Sequence, residues 1–165
     1  MATALSIEQS KQLRAAVTGL VVKSEAQAAL LSDDAGNVVA EAGMGQGENV
    51  QTIAALGAGS FAATREMAVM IGEPAFQSIF LQGVNANIYV RSVGASFCLM
   101  VLFRRKTAGG LVKLYADRLS EEVKPLLHAL DGQSPLAAGG TGVRFEMDPS
   151  ALPLAPAAAT PPAAG

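Results

Sequence analysis

The sequence predicts a mixed α+β domain, a five-stranded antiparallel sheet with helices on its faces in the order α-β-β-α-β-β-β-α. Three observations predict it. Helical apolar spacing follows a capping signal near the start. After Pro74 the pattern changes to short two-fold and continuous apolar runs joined by tight turns. Half of the 165 residues are apolar, enough to bury a core on both sides of a sheet.

Ser6 and Gln9 form the S-x-x-Q pattern of a capping box, and Leu13, Val17, Leu20 and Val21 keep one helical face over roughly residues 7–22. AQAALLSD (26–33) reads as a strand, DAGN as a turn and NVVAEA (37–42) as the returning strand. The GMGQGEN loop leads to Asn49, an N-cap for a second helix that runs to Gly72, a suitable C′ residue. FQSIFLQ (76–82) and NIYVRSV (87–93) are strands separated by GVNA. FCLMVLF (97–103) is apolar without alternation, which suits a central strand covered on both faces. A third helix starts near Thr107, with Leu111, Leu114, Leu119, Val123, Leu126 and Leu127 on its apolar side. Pro125 lacks the N–H that would reach the carbonyl four residues earlier, so a kink or break is expected at 120–124, with a second short helical piece running to Leu130.

From Asp131 the composition shifts to Gly, Pro and Ala, which bury too little surface to offset ordering entropy. The expected organisation is one domain over 1–131 and a disordered tail over 132–165. One island, VRFEMDPSALPL (143–154), keeps large apolar side chains. Phe145, Met147 and Leu152 are its candidate docking residues.

Little in the chain suggests catalysis. A single histidine (His128) excludes a multi-histidine metal site on count, and with a single cysteine (Cys98) inside an apolar run no Ser-His-Asp or Cys-His arrangement is expected. Asp33-Asp34 read as turn residues, and Glu121-Glu122 are helix neighbours that face different ways. GMGQGEN lacks the third glycine of G-x-G-x-x-G, Glu48 standing there, and lies beside an apparent hairpin, not in a βαβ nucleotide loop. A formal net charge of −2 with one short basic cluster, Arg104-Arg105-Lys106, gives no reason to bind nucleic acid. No run of 18 apolar residues occurs and the first residues lack a signal-peptide core, so no membrane insertion and a cytoplasmic location are expected. No catalytic residue, metal ligand or cofactor-binding residue is expected.

The second helix is apolar on almost every side and carries Gly57 and Gly59. With about 100° per residue, Ile53, Leu56, Ser60, Ala63, Met67 and Ile71 share one side, expected on the sheet. Ala55, Ala58, Gly59, Ala62 and Val69 form a small-residue side, expected against the same helix of a second copy. Phe76, Ser78 and Phe80, on the strand that follows, are expected to pair across the two-fold axis and extend the sheet.

AALLSDDAGNVVAEAG, AGSFAATREMAVMIGE, NIYVRSVG and FCLMVLFRRKTAGGLVKL occur in an order that resembles the roadblock / dynein-light-chain domain family, in particular its MglB-type branch of regulators of a bacterial Ras-like GTPase. The likeness covers roughly residues 8–130 and includes the strand–T-x-x-G-L-V–helix join at 107–112. It implies the second helix on one face of the sheet and the first and third on the other. It also implies a homodimer built on the second helix and the following strand, whose paired helices receive the GTPase and stimulate its own catalysis without lending an arginine. Cell polarity or motility is the implied setting. One departure stands out: Arg65-Glu66 replace two glycines of that branch. They count as candidate partner contacts, and they open an alternative in which the chain is an adaptor that binds another roadblock protein or a polarity scaffold and not the GTPase.

Overall fold

In the computed structural model, which describes residues 5–128 and 130, the capping box forms as its sequence requires. Gln9 N–H donates to Ser6 Oγ at 3.1 Å, and Ser6 N–H donates to Gln9 Oε1 at 3.0 Å. Helix α1 spans Ile7–Ser24 and ends at Glu25, a left-handed residue (φ 56°), with Ala26 N–H closing onto Val21 O. The chain then gives β1 (Ala28–Asp33), β2 (Val38–Ala42), α2 (Val50–Ile71), β3 (Ser78–Gln82), β4 (Ala86–Val93), β5 (Phe97–Arg104) and α3 (Gly109–Leu127).

The five strands form one antiparallel sheet in the order β2-β1-β5-β4-β3. β5 is central, so its side chains are covered from both faces, and this is the reason for its unbroken apolar run. One face carries Leu31, Leu99, Val101, Phe103 and Tyr89 against Leu13, Val17 and Leu20 of α1 and Val112, Ala116, Leu119, Val123 and Leu127 of α3. The opposite face carries Leu30, Val90, Cys98 and Met100 against Ala54, Ala58 and Phe61 of α2. The layers are therefore α2 on one side and α1 with α3 on the other, as the family likeness implied.

Helix α3 departs from the sequence reading. It starts at Gly109 and runs unbroken to Leu127, with Pro125 inside it and His128 as its C-cap. Pro125 withdraws only one hydrogen bond, from the carbonyl of Glu121, which is exposed. Buried Leu119, Ser120, Val123 and Leu127 hold that stretch on the sheet and α1. The apolar side is also shifted: Val112 and Ala116 enter the core, whereas Leu114 is exposed. Beyond Leu127 the described chain adds one turn, in which Leu130 N–H reaches Leu127 O. The expected tail, 132–165, lies outside the described residues, and with it Phe145, Met147 and Leu152.

Candidate interaction surface

Helix α2 begins where Thr52 N–H donates to Asn49 Oδ1 at 3.1 Å and ends at Gly72 (φ 72°), where Glu73 N–H returns to Ala68 O. Between those caps the helix buries Ala54, Gly57, Ala58, Phe61 and Ala68, and it lies on the sheet through Ala54, Gly57, Ala58 and Phe61. The expected bulky sheet side is corrected by this placement: Leu56, Met67 and Ile71 are 68%, 52% and 70% exposed, and only Ile53 packs on the core. The physical reason lies in the sheet. Leu30, Val90 and Met100 already fill the interlayer space, so α2 must approach with small residues. A Cβ on Gly57 would overlap the Met100 methyl group.

The small-residue side is also partly claimed by the chain itself. Ala58 is 4% exposed, sealed against the sheet, and so stands outside the free surface expected for it. Ala55 is exposed, but its backbone abuts Gly36 of the β1–β2 turn, which has no room for a Cβ and a φ of 84°. Gly59, Ala62, Glu66 and Val69 remain exposed, and the Cβ position of Gly59 is open space. Arg65 is only half free. Its Nη2 bonds Asp34 Oδ1 at 2.7 Å, and its guanidinium lies 5.6 Å from the centre of the Phe61 ring.

Among the described residues β3 is an edge strand paired only with β4. Ser78, its first residue, and Phe76, just before it, are half-buried. Phe80 is half-exposed, with its ring 5.8 Å from that of Phe103 on the α3 side. Between the last turns of α2 and β3 runs an open, largely apolar groove of about 490 Å³, lined by Met67, Met70, Ile71, Phe76 and Ile79 among others. Met70 is 84% exposed and Val69 75%. An apolar surface of this extent beside an unpaired strand edge is what an association site offers. Of the surface residues the sequence reading named, Gly59, Ala62, Glu66, Val69 and Phe80 are exposed. That reading did not place Leu56, Met67, Met70 and Ile71 at the surface, where they lie exposed; their signal was the small-residue series Ala54, Gly57, Ala58 and Ala68 marking the true inner side.

Cys98 is 1% exposed, its Sγ 3.2 Å from Ser32 Oγ, and burial pushes its thiol above the ordinary range. Asp33 accepts the Ala35 and Asn37 backbone N–H groups, an Asx-turn. Lys124 bonds the exposed Glu121 carboxylate and holds it below the usual carboxylate range. In the glycine-rich loop Glu48 accepts Gly45 N–H at 2.9 Å, and the strands before the loop are antiparallel neighbours. Arg104, Arg105 and Lys106 are all exposed at the end of β5, and His128 is exposed at the end of α3. Among the described residues no group of three or more His, Cys, Asp or Glu is placed to hold a metal ion, and no helix is long and apolar enough to cross a membrane.

Comparison with known proteins agrees with this architecture. The Roadblock/LC7 domain family model matches residues 15–103. Myxococcus xanthus MglB is 30% identical with a TM-score of 0.69, over 72% of this chain and 96% of that one. The gliding protein MglB from Thermus thermophilus is 28% identical with a TM-score of 0.70, over 76% and 95%. An MglB in a tetrameric arrangement is 26% identical with a TM-score of 0.71, over 76% and 94%. No curated protein matches the sequence.

Proposed function

Since the chain belongs to the Roadblock/LC7 domain family, we propose that it is a non-enzymatic, homodimeric regulator of a small Ras-like GTPase, with α2 and β3 as the working surface. The observation that carries this reading is the apolar groove between α2 and the unpaired edge of β3, in a domain similar along most of its length to MglB. Pairing β3 with its copy extends the sheet and sets two α2 helices side by side over the junction. Leu56, Met67, Met70 and Ile71 then lose their water. The outer rim of the paired helices, with Gly59, Ala62 and Glu66, faces the GTPase. Such a module acts by binding one conformation of the GTPase better than the other. A cytoplasmic role in cell polarity or motility fits this reading.

The test times GTP hydrolysis by a cognate Ras-like GTPase with and without the purified chain and measures binding in both nucleotide states. Faster hydrolysis with binding that depends on the nucleotide supports the proposal; an unchanged rate and no complex in either state reject it.

A second reading has one observation of its own. Glu66 is exposed in the middle of α2, where it presents a carboxylate to any arriving surface. An adaptor that binds another roadblock protein or a polarity scaffold would use that charge. Its mark is a stable complex with such a partner that persists without any GTPase.

A further inference from the structure

The contact between α2 and the sheet is unusually smooth. Ala54, Gly57 and Ala58 supply most of it, Phe61 is its one large buried side chain, and Val50 and Ile53 pack on it only partly buried. Helices are fixed in rotation by side-chain ridges entering grooves, and alanine and glycine make shallow ridges. The tip of Met100, which fills the space over Gly57, is a flexible thioether and yields readily. Packing alone therefore leaves the rotation of α2 weakly determined.

Two polar ties supply what packing lacks, and both come from the same turn. Gln51 Nε2 donates to Gly36 O at 2.6 Å, and Arg65 Nη2 donates to Asp34 Oδ1 at 2.7 Å. Gln51 and Arg65 lie fourteen residues apart, which is about 21 Å along a helix. The turn is itself stiff: the Asp33 carboxylate takes the Ala35 and Asn37 N–H groups and the Asn37 side chain, and Asp34 N–H donates to Ser96 O at 2.9 Å. The Asp34 side chain is only 10% exposed, so moving Arg65 away strands a carboxylate that has lost most of its water. Arg65 is held from its other side by the Phe61 ring.

We infer that the β1–β2 turn is a clamp that sets the rotation of α2 about its own axis, with Asp34 and Arg65 as the positioning pair, and so decides which side chains α2 offers to a second copy of the chain. The inference rests on the dimer reading above for its consequence, but not for the clamp itself. It reassigns Arg65 from a partner contact to an internal strut and leaves Glu66 as the free charge of that pair of residues.

The test compares Asp34→Ala, Arg65→Met and Arg65→Lys with the native chain. Val123→Ala, in the core of the opposite face, serves as a control that lowers thermal stability without touching the clamp. Amide exchange along α2 and the methyl spectra of Met67 and Met70 read the clamp directly; sedimentation velocity reads self-association. Asp34→Ala and Arg65→Met are expected to speed exchange over the second half of α2 at least ten-fold, with β4 and β5 amides unchanged, and to weaken self-association at least ten-fold. Arg65→Lys should recover most of both losses, and Val123→Ala should show neither. Exchange and methyl spectra that match the native chain overturn the clamp, whatever association does. A native chain that stays monomeric at every concentration overturns the dimer reading, while the exchange arm still decides the clamp. If Asp34→Ala fails to fold, the two Arg65 variants, at the more exposed end of the pair, carry the measurement.

Discussion

The methyl group of Met100 occupies the place where a side chain on Gly57 would begin. This relationship lets α2 lie close on a sheet whose central strand carries large residues. It also separates the two glycines of the helix, because Gly59 faces open space. Glycine in a helix interior costs roughly 1 kcal/mol relative to alanine, so the two positions make opposite predictions. Gly59→Ala should stabilise the folded subunit by about 0.5–1 kcal/mol in urea unfolding. Gly57→Ala gains the same propensity but must displace the Met100 tip, so it should be close to neutral. Gly57→Leu should cost about 1–3 kcal/mol through overpacking.

The exposed series on α2 supports a second prediction. Met67→Glu and Met70→Glu place charge in the groove beside β3, where native side chains are exposed in the single subunit. Thermal unfolding of the subunit should change by no more than about 0.5 kcal/mol, as for surface changes generally. Self-association should fall by more than ten-fold, because a carboxylate would be desolvated without a partner. Concentration-dependent sedimentation checks it, and native-like association of both variants would remove this face from the interface.

Much of the fold was legible because local signals agreed with the tertiary outcome. Ser6 and Gln9 announced α1, Asn49 and Gly72 bounded α2, and the continuous apolar run of β5 announced the central strand. The orientation of α2 was not legible. A helix that is apolar all round gives no polar side to subtract, and the choice between its faces depends on which strand residues lie beneath it. Leu30, Val90 and Met100 are large, so the small series Ala54, Gly57, Ala58 and Ala68 turned inward. The partnership of Arg65 with Asp34 was hidden for a similar reason: the two are 31 residues apart and meet only through the β1–β2 turn. Pro125 misled because a helix end anchored by Leu119, Val123 and Leu127 tolerates one missing hydrogen bond.

Cys98 gives a pH-dependent prediction. Burial raises its thiol pKa above the ordinary value of 9.0. In the unfolded chain the thiol ionises near that ordinary value, whereas the folded chain keeps its proton to higher pH. The unfolded state thus binds fewer protons in this window, and stability falls as pH rises from about 9 towards the raised folded value. The slope from this group is at most about 1.4 kcal/mol per pH unit. Urea midpoints measured between about pH 8 and 10 should show the fall, and Cys98→Ala should flatten its own share of it. The native thiol should also resist alkylation at about pH 8 until the protein unfolds, since thiolate and access are both withheld.

Gly36 supports the last prediction, and it tests how the β1–β2 turn meets α2. The residue has a φ of 84°, is buried, and donates its N–H to Asp33 O at 3.0 Å, while its carbonyl accepts the Gln51 side chain. A Cβ there would meet the backbone of Ala55, which cannot yield as a flexible side-chain tip can. Gly36→Ala therefore combines left-handed strain of about 1–2 kcal/mol with a backbone clash. A total loss of about 2–4 kcal/mol is expected, large for a turn residue. Gly47 provides the matched comparison: its φ of 94° is similar, but none of the described residues lies within reach of its Cβ. Gly47→Ala should cost only the conformational part, about 1–2 kcal/mol. Equal losses for the two variants in urea unfolding would mean that Gly36 matters for its dihedral angle alone, and that the turn does not press on α2 as tightly as its geometry requires.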